Sequence, residues 1–535
     1  MGKRLASYDY VIVGAGSAGC VLAHRLSANP AHRVLLLEAG GRDWNPLIHM
    51  PAGLARLATN RRVNWNYRTE PEPALHDRRL WWPRGKTLGG SSSINAMCYV
   101  RGVPADYDHW ADVTGNPRWS WQQVLPWFVR SEDNSRGASA LHGVGGPLGV
   151  ADLRHHNVLS AALVDAAGSA GYAPRADFND TQQAGFGLYQ VSQRNGARCS
   201  AATAYLQPAR SRTNLQVRTH VLVERVLLDR ERATGVLLRH GRRALERIEA
   251  GQVILAAGSI NTPQLLMLSG IGPAAHLREH GIDVHVDLPG VGANLQDHLD
   301  ICTLDASTQD VTYDHLNELA TGVRWLRHRD GPGSSNIAEA GGFVRSALAE
   351  DARCDLQFHF VPALLDDHGR HRLPGQGYTL HACHLHPRSR GRLRLRSADP
   401  TQPIAIHAGY LSDPDGSDLR RMLVAARLSR EILDQSAFDP YRGAPVFPER
   451  RLTTDAEYTD FIRRKAETIY HPVGTCRMGN DEHAVVDSEL RVRGIAGLRV
   501  VDASVMPTLP TGNTNAPTLM IAERASALML GNEDA

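Results

Sequence analysis

A glycine-rich segment near the amino terminus has the residue types and spacing that suit dinucleotide binding. It reads Gly14-Ala15-Gly16-Ser17-Ala18-Gly19, and Glu38 follows its last glycine by nineteen residues. Gly14 permits a tight turn, Gly16 lets the backbone approach a pyrophosphate, and Gly19 lets a helix pack on a strand. The amino end of a helix presents unpaired N–H groups to phosphates, and Glu38 can accept hydrogen bonds from a ribose. This spacing predicts a dinucleotide site but does not distinguish FAD from NAD.

The segments around this motif predict the elements that must position it. Tyr10-Val11-Ile12-Val13 is an apolar run typical of a buried strand, and residues 21–26 have helical apolar spacing. A second apolar run, Val34-Leu35-Leu36-Leu37, ends directly before Glu38. Strand, glycine turn, helix and strand together form the βαβ unit that carries dinucleotides.

Length, charge and cysteine usage limit the class of protein. The chain has 535 residues and a net charge of +3, so we expect two or more domains and no nucleic-acid surface. Seven scattered cysteines without a C-x-x-C pair favour a reducing compartment. The first strand begins too early for a signal peptide, and no apolar run reaches the roughly 18 residues of a membrane span. We therefore expect a cytoplasmic protein, soluble or peripherally attached to a membrane.

The order of predicted elements indicates a discontinuous nucleotide domain wrapped around a second domain. Strand-like runs at 214–260 and at 498–502 resemble parts of the first domain, whereas residues 305–465 combine strands with a helix near 417–434. The predicted fold class is α/β with α+β: a Rossmann-type dinucleotide-binding domain plus a substrate-binding domain with an antiparallel sheet. The predicted division assigns the nucleotide domain 1–155, 195–304 and 466–535, and the substrate domain 156–194 and 305–465.

Several longer motifs resemble the hallmark segments of the glucose–methanol–choline (GMC) family of flavoprotein oxidoreductases. They occur in the family's order and cover essentially the whole chain, which favours FAD over NAD. The matching segments are Arg84 to Asn95 (RGKTLGGSSSIN), Gly258 to Pro273, Asn294 to His298 (NLQDH), Tyr470 to Gly479 (YHPVGTCRMG) and Gly512 to Thr518 (GNTNAPT).

The resemblance implies which residues contact FAD. In some members a histidine just before the asparagine of the glycine-serine loop is bonded covalently to the flavin; Ile94 stands there, so we expect FAD to be bound non-covalently. The predicted cofactor contacts are Gly14, Gly16, Ser17, Ala18, Gly19, Glu38, Gly89, Gly90, Ser91, Asn95, Ala96, Val223 and Asp502.

The resemblance also implies the catalytic and substrate-binding residues. Oxidising an alcohol requires that its hydroxyl proton be removed while the α-carbon gives a hydride to flavin N5, and an imidazole suits the first task. His471 lies at the position of the family's catalytic base, with Asn515 as its expected partner and Asn513 as a competitor for that role. Glu339 aligns with a glutamate that faces the quaternary ammonium in choline-acting relatives; its alternative is a structural acid paired with an arginine.

The resemblance implies oxidation of a primary, uncharged alcohol to an aldehyde, with electrons passed to a quinone or similar acceptor. Choline dehydrogenase is the alternative, and an FAD-containing hydroxynitrile lyase is a more distant one. No metal is expected: on a strand, His384 and His386 of the cluster His381-x-x-His384-x-His386 would share a face while His381 points away.

Overall fold

The computed structural model describes residues 7–241, 244–371 and 373–532. The strands are β1 (Ser7–Val13), β2 (Val34–Leu37), β3 (Tyr67–Arg68), β4 (Trp81–Trp82), β5 (Glu132–Asn134), β6 (Leu148–Val150), β7 (Gly185–Leu188), β8 (Gln193–Arg194), β9 (Ala197–Arg198), β10 (Leu215–Arg218), β11 (Val221–Asp229), β12 (Arg232–His240), β13 (Glu246–Leu255), β14 (Ile271–Gly272), β15 (Val286–Asp287), β16 (Leu299–Ser307), β17 (Ala340–Val344), β18 (Leu356–Val361), β19 (Gly377–His384), β20 (Arg392–Arg394), β21 (Ala405–His407), β22 (Arg442–Phe447), β23 (Glu467–Thr468) and β24 (Leu498–Val500). The helices are α1 (Ser17–Leu26), α2 (Pro46–His49), α3 (Leu54–Leu57), α4 (Pro104–Thr114), α5 (Trp121–Ser131), α6 (Val158–Ser169), α7 (Gln207–Ala209), α8 (Gly258–Leu268), α9 (Ala274–Glu279), α10 (Glu318–His328), α11 (Ser417–Leu433), α12 (Asp455–Lys465) and α13 (Asn515–Met529).

A seven-stranded sheet contains the predicted βαβ unit. Its order is β10-β2-β1-β13-β12-β11, and β24 pairs with β13. Strands β10, β2, β1, β13 and β24 are parallel, while β12 and β11 add an antiparallel edge. β1 and β2 are buried where they flank α1, as expected for a sheet covered by helices. The Rossmann-type expectation is confirmed, with strands from the beginning, middle and end of the chain in one sheet.

A second seven-stranded sheet is antiparallel throughout and has the order β22-β16-β19-β18-β17-β7, with β23 paired to β16. β17, β18 and β19 are buried along their whole length, and α11 packs against β19. β7 joins this sheet from the predicted 156–194 segment. β16 begins at Leu299, before the predicted 305–465 segment, and β23 lies wholly after that segment.

The parallel strands position the site because their carboxyl ends meet at one edge of the sheet. Gly14 follows β1, Glu38 follows β2, Ala256 follows β13, and Asp502 lies two residues after β24. This edge faces the second sheet across a shared cavity, which is where ligands bind in open α/β sheets. None of the helices in the described ranges is both long enough and apolar enough to span a membrane.

Candidate active site

The cavity between the two sheets has a volume of about 820 Å³, within the range of sites for cofactors and small molecules. Its wall includes thirteen of the predicted site residues: Gly14, Gly16, Ser17, Ala18, Glu38, Gly90, Ser91, Asn95, Ala96, Val223, His471, Asp502 and Asn515. Residues from five separate parts of the chain, 14–38, 90–96, 223, 471 and 502–515, therefore border the same cavity.

Three helices begin at the nucleotide-binding part of this cavity. The residues that precede α1, α8 and α13 make no side-chain capping hydrogen bond, and Ser17, Gly258 and Asn515 line the cavity at the three amino ends. At α8 the Asp502 carboxylate accepts from the Gly258 N–H. Uncapped helix N-termini attract anions, because their backbone N–H groups and their dipoles favour negative charge. The arrangement fits the pyrophosphate of a dinucleotide.

The glycines of the first turn have separate structural tasks. Gly14 has φ +101°, and a Cβ there would lie 2.5 Å from the Ala256 carbonyl oxygen; a Cβ at Gly19 would lie 1.8 Å from the Gly14 oxygen. A Cβ at Gly16, by contrast, would meet only the Ala256 oxygen at 3.9 Å and would project into open space. Gly16 is therefore free of protein contacts that require glycine, which fits a close approach by a bound pyrophosphate.

The glycine-serine loop packs directly on this turn. Gly89 donates its N–H to the Ala15 carbonyl at 2.8 Å, and a Cβ at Gly90 would lie 2.7 Å from the Gly16 Cα. Gly19 and Gly89 thus support the turn from behind, whereas Gly90 and Ser91 border the cavity. Ile94 also lines the cavity.

Two buried carboxylates shape the same region. Glu38 accepts hydrogen bonds from the backbone N–H groups of Ala15 (2.9 Å) and Gly40 (2.8 Å), and burial raises its pKa to about 7. Asp502 accepts from the Gly258 N–H at 2.9 Å and from the Thr262 hydroxyl at 2.6 Å. Both carboxylates fix backbone at the carboxyl ends of parallel strands. The volume, the helix ends and the glycine cradle together fit FAD.

His471 lies in the cavity wall and is held by two side chains. Its Nδ1 is 2.9 Å from Nδ1 of His298, and its Nε2 is 3.2 Å from Nδ2 of Asn513. His298 Nε2 lies 2.9 Å from the Leu385 carbonyl oxygen, which can only accept. A neutral His298 therefore donates from Nε2 and accepts at Nδ1, so His471 donates from Nδ1. This chain of donors leaves the lone pair of His471 on Nε2.

The electrostatic environment keeps His471 neutral. Burial lowers its pKa well below the usual value, and His298, His359 and Arg84 add to the effect. Burial likewise lowers the pKa of His298 to about 3. His471 Nε2 is consequently a proton acceptor at neutral pH.

The backbone around His471 is also tightly held. Its N–H donates to Asp297 Oδ1 at 2.7 Å, and the Thr468 hydroxyl donates to the other oxygen of that carboxylate at 2.5 Å. Tyr470 has φ +74°, a conformation costing about 1–3 kcal/mol for a non-glycine residue. Arg84 donates to the Tyr470 carbonyl at 2.6 Å. Strain of this kind is typical of functional sites.

Asn513, rather than the predicted Asn515, contacts His471. Asn515 is the first residue of α13, where its amide oxygen accepts from the Ser17 hydroxyl at 2.7 Å and so joins the amino ends of α13 and α1. Asn513 lies in the loop just before that helix. The start of the helix turns the two asparagines toward different parts of the cavity.

The structure also corrects the substrate-binding prediction for Glu339. Its carboxylate is completely buried and accepts from the Asn157 N–H (2.7 Å), the Ser160 hydroxyl (2.6 Å), the Ser335 hydroxyl and the Tyr313 hydroxyl. Side chains alternate along extended backbone, so Ala338 lines the cavity while Glu339 faces the amino end of α6. Glu339 has a structural role, with hydroxyl and N–H partners instead of the arginine considered as its alternative.

The sequence analysis gave no role to His298 or Asp297, and it considered Asn513 only as a competitor of Asn515. His298 and Asp297 belong to the NLQDH motif directly before β16. The sequence signal that could have identified them is an acidic residue next to a histidine within a family motif. The three histidines considered for a metal have separate partners: His381 Nδ1 lies 2.6 Å from Asp300, His384 lies 3.7 Å from Asp418, and His386 lies 3.2 Å from the Cys354 carbonyl.

Comparison with known proteins agrees with this geometry. Family models described as GMC oxidoreductase match residues 8–300 and 387–522. An alcohol dehydrogenase [acceptor] from Pseudomonas putida is 48% identical, covering 98% of this chain and 96% of its own. An oxygen-dependent choline dehydrogenase from Brucella suis biovar 1 is 44% identical, covering 98% and 95%. The crystal structure of pyridoxine 4-oxidase from Mesorbium loti superimposes with a TM-score of 0.88 at 34% identity, covering 97% and 98%.

Proposed function

Because the chain belongs to the GMC oxidoreductase family, we propose that it oxidises a primary, uncharged aliphatic alcohol to an aldehyde, with His471 as the base. FAD, when bound, accepts the hydride from the alcohol carbon. The observation that carries the proposal is the hydrogen-bond chain from His471 through His298 to the Leu385 carbonyl, which assigns the acceptor role to Nε2 of His471 in the wall of a cavity that also contains the dinucleotide cradle.

The chain's own residues supply the remaining chemistry. His471 Nε2 accepts the hydroxyl proton as charge develops on the alcohol oxygen. The Asn513 amide, within hydrogen-bonding distance of that nitrogen, can donate to the same oxygen and stabilise its charge. His298 and Asp297 hold the ring and the backbone of His471, so the base requires little reorganisation.

An uncharged substrate is favoured by the lining of the cavity beyond His471. Apolar side chains contribute to it, among them Ile337, Val361, Leu364, Leu365 and Ile469. The acids that border this end already have partners: Asp314 accepts from backbone N–H groups, and Glu318 pairs with Arg56. Glu339, the carboxylate considered for a choline cation, faces away.

The finer parts of the proposal concern the cofactor bond and the electron acceptor. We propose that FAD is held non-covalently, because Ile94 offers no nucleophile at the position where some relatives carry the tethering histidine. We also propose a quinone or similar acceptor, and a cytoplasmic protein attached peripherally to the membrane. The similarity to an alcohol dehydrogenase named for an acceptor supports the proposal of a separate electron acceptor.

A substrate panel tests the proposal. Purified protein is assayed with 1-octanol, benzyl alcohol and choline, each with a quinone analogue and with oxygen alone. We expect the highest kcat/KM for 1-octanol with the quinone analogue; a preference for choline would favour the alternative activity.

Anaerobic alcohol should bleach the flavin, and an unchanged spectrum would instead favour lyase chemistry. Acid precipitation should release the flavin into the supernatant, whereas retention in the pellet would contradict non-covalent binding.

A further inference from the structure

The helix α10 carries an apolar stripe that faces solvent. Leu319, Val323 and Leu326 are exposed by 79%, 40% and 61%. Their spacing of four and three residues places them on one side of the helix. Trp325 is the buried member of the helix and anchors it through an indole N–H bond to the Gly196 carbonyl at 2.7 Å. The stripe therefore lies outside the face that holds α10 to the protein.

The stripe adjoins an opening of the catalytic cavity. Glu318, the first residue of α10, and Arg56 of α3 both line the cavity, yet their side chains are 70% and 64% exposed. The two residues form an ion pair across the rim. Because the pair is solvent-exposed, it adds little to stability and can open readily. The rim formed by α3 and α10 is thus a route between the surface and the cavity.

Basic residues surround the stripe. Residues 54–62 and 318–330 contain six arginines (Arg56, Arg61, Arg62, Arg324, Arg327 and Arg329) and two acids (Glu318 and Asp330). Arg61, Arg62 and Arg327 are exposed, whereas Arg324 pairs with Asp330. An exposed apolar stripe flanked by cations is the pattern of a helix that lies in the interface of an anionic bilayer.

We propose that α10 and the adjoining α3 rim dock on an anionic phospholipid bilayer, with Leu319, Val323 and Leu326 inserted among the acyl chains and the arginines at the headgroups. The cavity rim then faces the bilayer, from which an apolar alcohol or a quinone enters without crossing water. This surface rests on the proposed function, because it gives the proposed membrane attachment a location and a lipid class.

Vesicle co-sedimentation tests the surface without turnover. The holoenzyme is mixed with protein-free vesicles of phosphatidylcholine, with or without phosphatidylglycerol. We expect binding to the anionic vesicles that falls with added salt. The double variant L319E/L326E should lower the bound-to-free ratio at least about tenfold, since each exposed leucine would otherwise be buried in lipid. The matched control V144E/V158E changes two other exposed apolar residues (54% and 47%) and should bind like wild type.

Three results would overturn the proposal: no binding of wild type to either vesicle, equal binding by L319E/L326E and wild type, or binding only to native membranes that contain proteins. The last result would indicate a protein partner. Turnover of a water-soluble alcohol with a soluble dye acceptor, measured on the same preparations, tests the proposed function separately. L319E/L326E should retain that activity, so a loss of vesicle binding with full turnover isolates the docking surface.

Discussion

His298 and His471 share a hydrogen bond between their Nδ1 atoms, 2.9 Å apart, and this bond determines which nitrogen of His471 can accept a proton. The proton on His471 Nδ1 follows from the Leu385 carbonyl, which occupies the N–H of His298 Nε2. The backbone carbonyl of the residue that follows β19 thus determines the tautomer of His471 through the His298 imidazole. Residues from two distant motifs combine to make a base that neither would make alone.

Changing His298 should therefore impair proton transfer while leaving FAD in place. We expect His298→Leu to lower kcat/KM by about 10- to 100-fold, a part of the 10²- to 10⁴-fold that general base catalysis contributes. His298→Gln keeps an oxygen that can accept from His471 Nδ1 and should recover part of the loss. Steady-state kinetics and the flavin-to-protein ratio measure both effects. Equal losses in the two variants would show that the imidazole is needed for packing rather than for the tautomer.

Removing the base itself should have a larger effect. His471→Ala should lower turnover by about 10²- to 10⁴-fold, because no group remains at Nε2 to accept the hydroxyl proton. The dinucleotide cradle is formed by other segments, so the flavin content should stay at the wild-type level. Stopped-flow measurement of anaerobic flavin reduction isolates the affected step. A rate within tenfold of wild type would refute the assignment of His471.

The pH dependence should reflect the lowered pKa of His471. The neutral imidazole is the active form, and burial holds its pKa well below 6.5. The rate of flavin reduction should then be flat from pH 8 down through 6.5 and should fall only at more acidic pH, as Nε2 is protonated. A pH series of single-turnover rates checks this. An acid limb centred at or above pH 6.5 would indicate that the base is more exposed than the structure has it.

Much of the nucleotide site could be predicted because its requirements are local. The turn requires glycine at positions 14 and 19, because a Cβ at either position would clash with backbone atoms, and this requirement is visible as the glycine motif. Glu38 directly follows the apolar run that forms β2. Strands β1 and β2 contain the apolar runs that predicted them.

The parts that could not be predicted depend on side-chain direction in three dimensions. One residue separates Asn513 from Asn515, and only the position where α13 begins decides which of the two asparagines reaches His471. Glu339 was assigned by alignment, but the side of the chain that it faces depends on how β17 pairs within its sheet. His298 contacts His471 from 173 residues away.

Glu339 should affect stability and leave substrate choice unchanged. Glu339→Leu leaves several buried donors, among them Ser160 and the Asn157 N–H, without an acceptor, which costs about 1–3 kcal/mol for each such group. We expect a clear fall in the free energy of unfolding, measured by denaturant titration of the holoenzyme. The ratio of kcat/KM for 1-octanol and choline should stay the same. A selective change in the choline value would restore Glu339 as a substrate-binding residue.

Gly16 and Gly19 should respond differently to the same change, because one borders the cofactor space and the other packs against protein. At Gly16 the backbone has φ −76°, which alanine adopts readily, and the added Cβ would contact only the Ala256 oxygen at 3.9 Å. Gly16→Ala should therefore fold normally without cofactor and bind FAD more weakly. At Gly19 the Cβ would lie 1.8 Å from the Gly14 oxygen, so Gly19→Ala must displace α1 and should lower the stability of the apoprotein as well. FAD titration and thermal unfolding of both apoproteins separate the two effects; equal apoprotein stability would contradict the division of roles between these glycines.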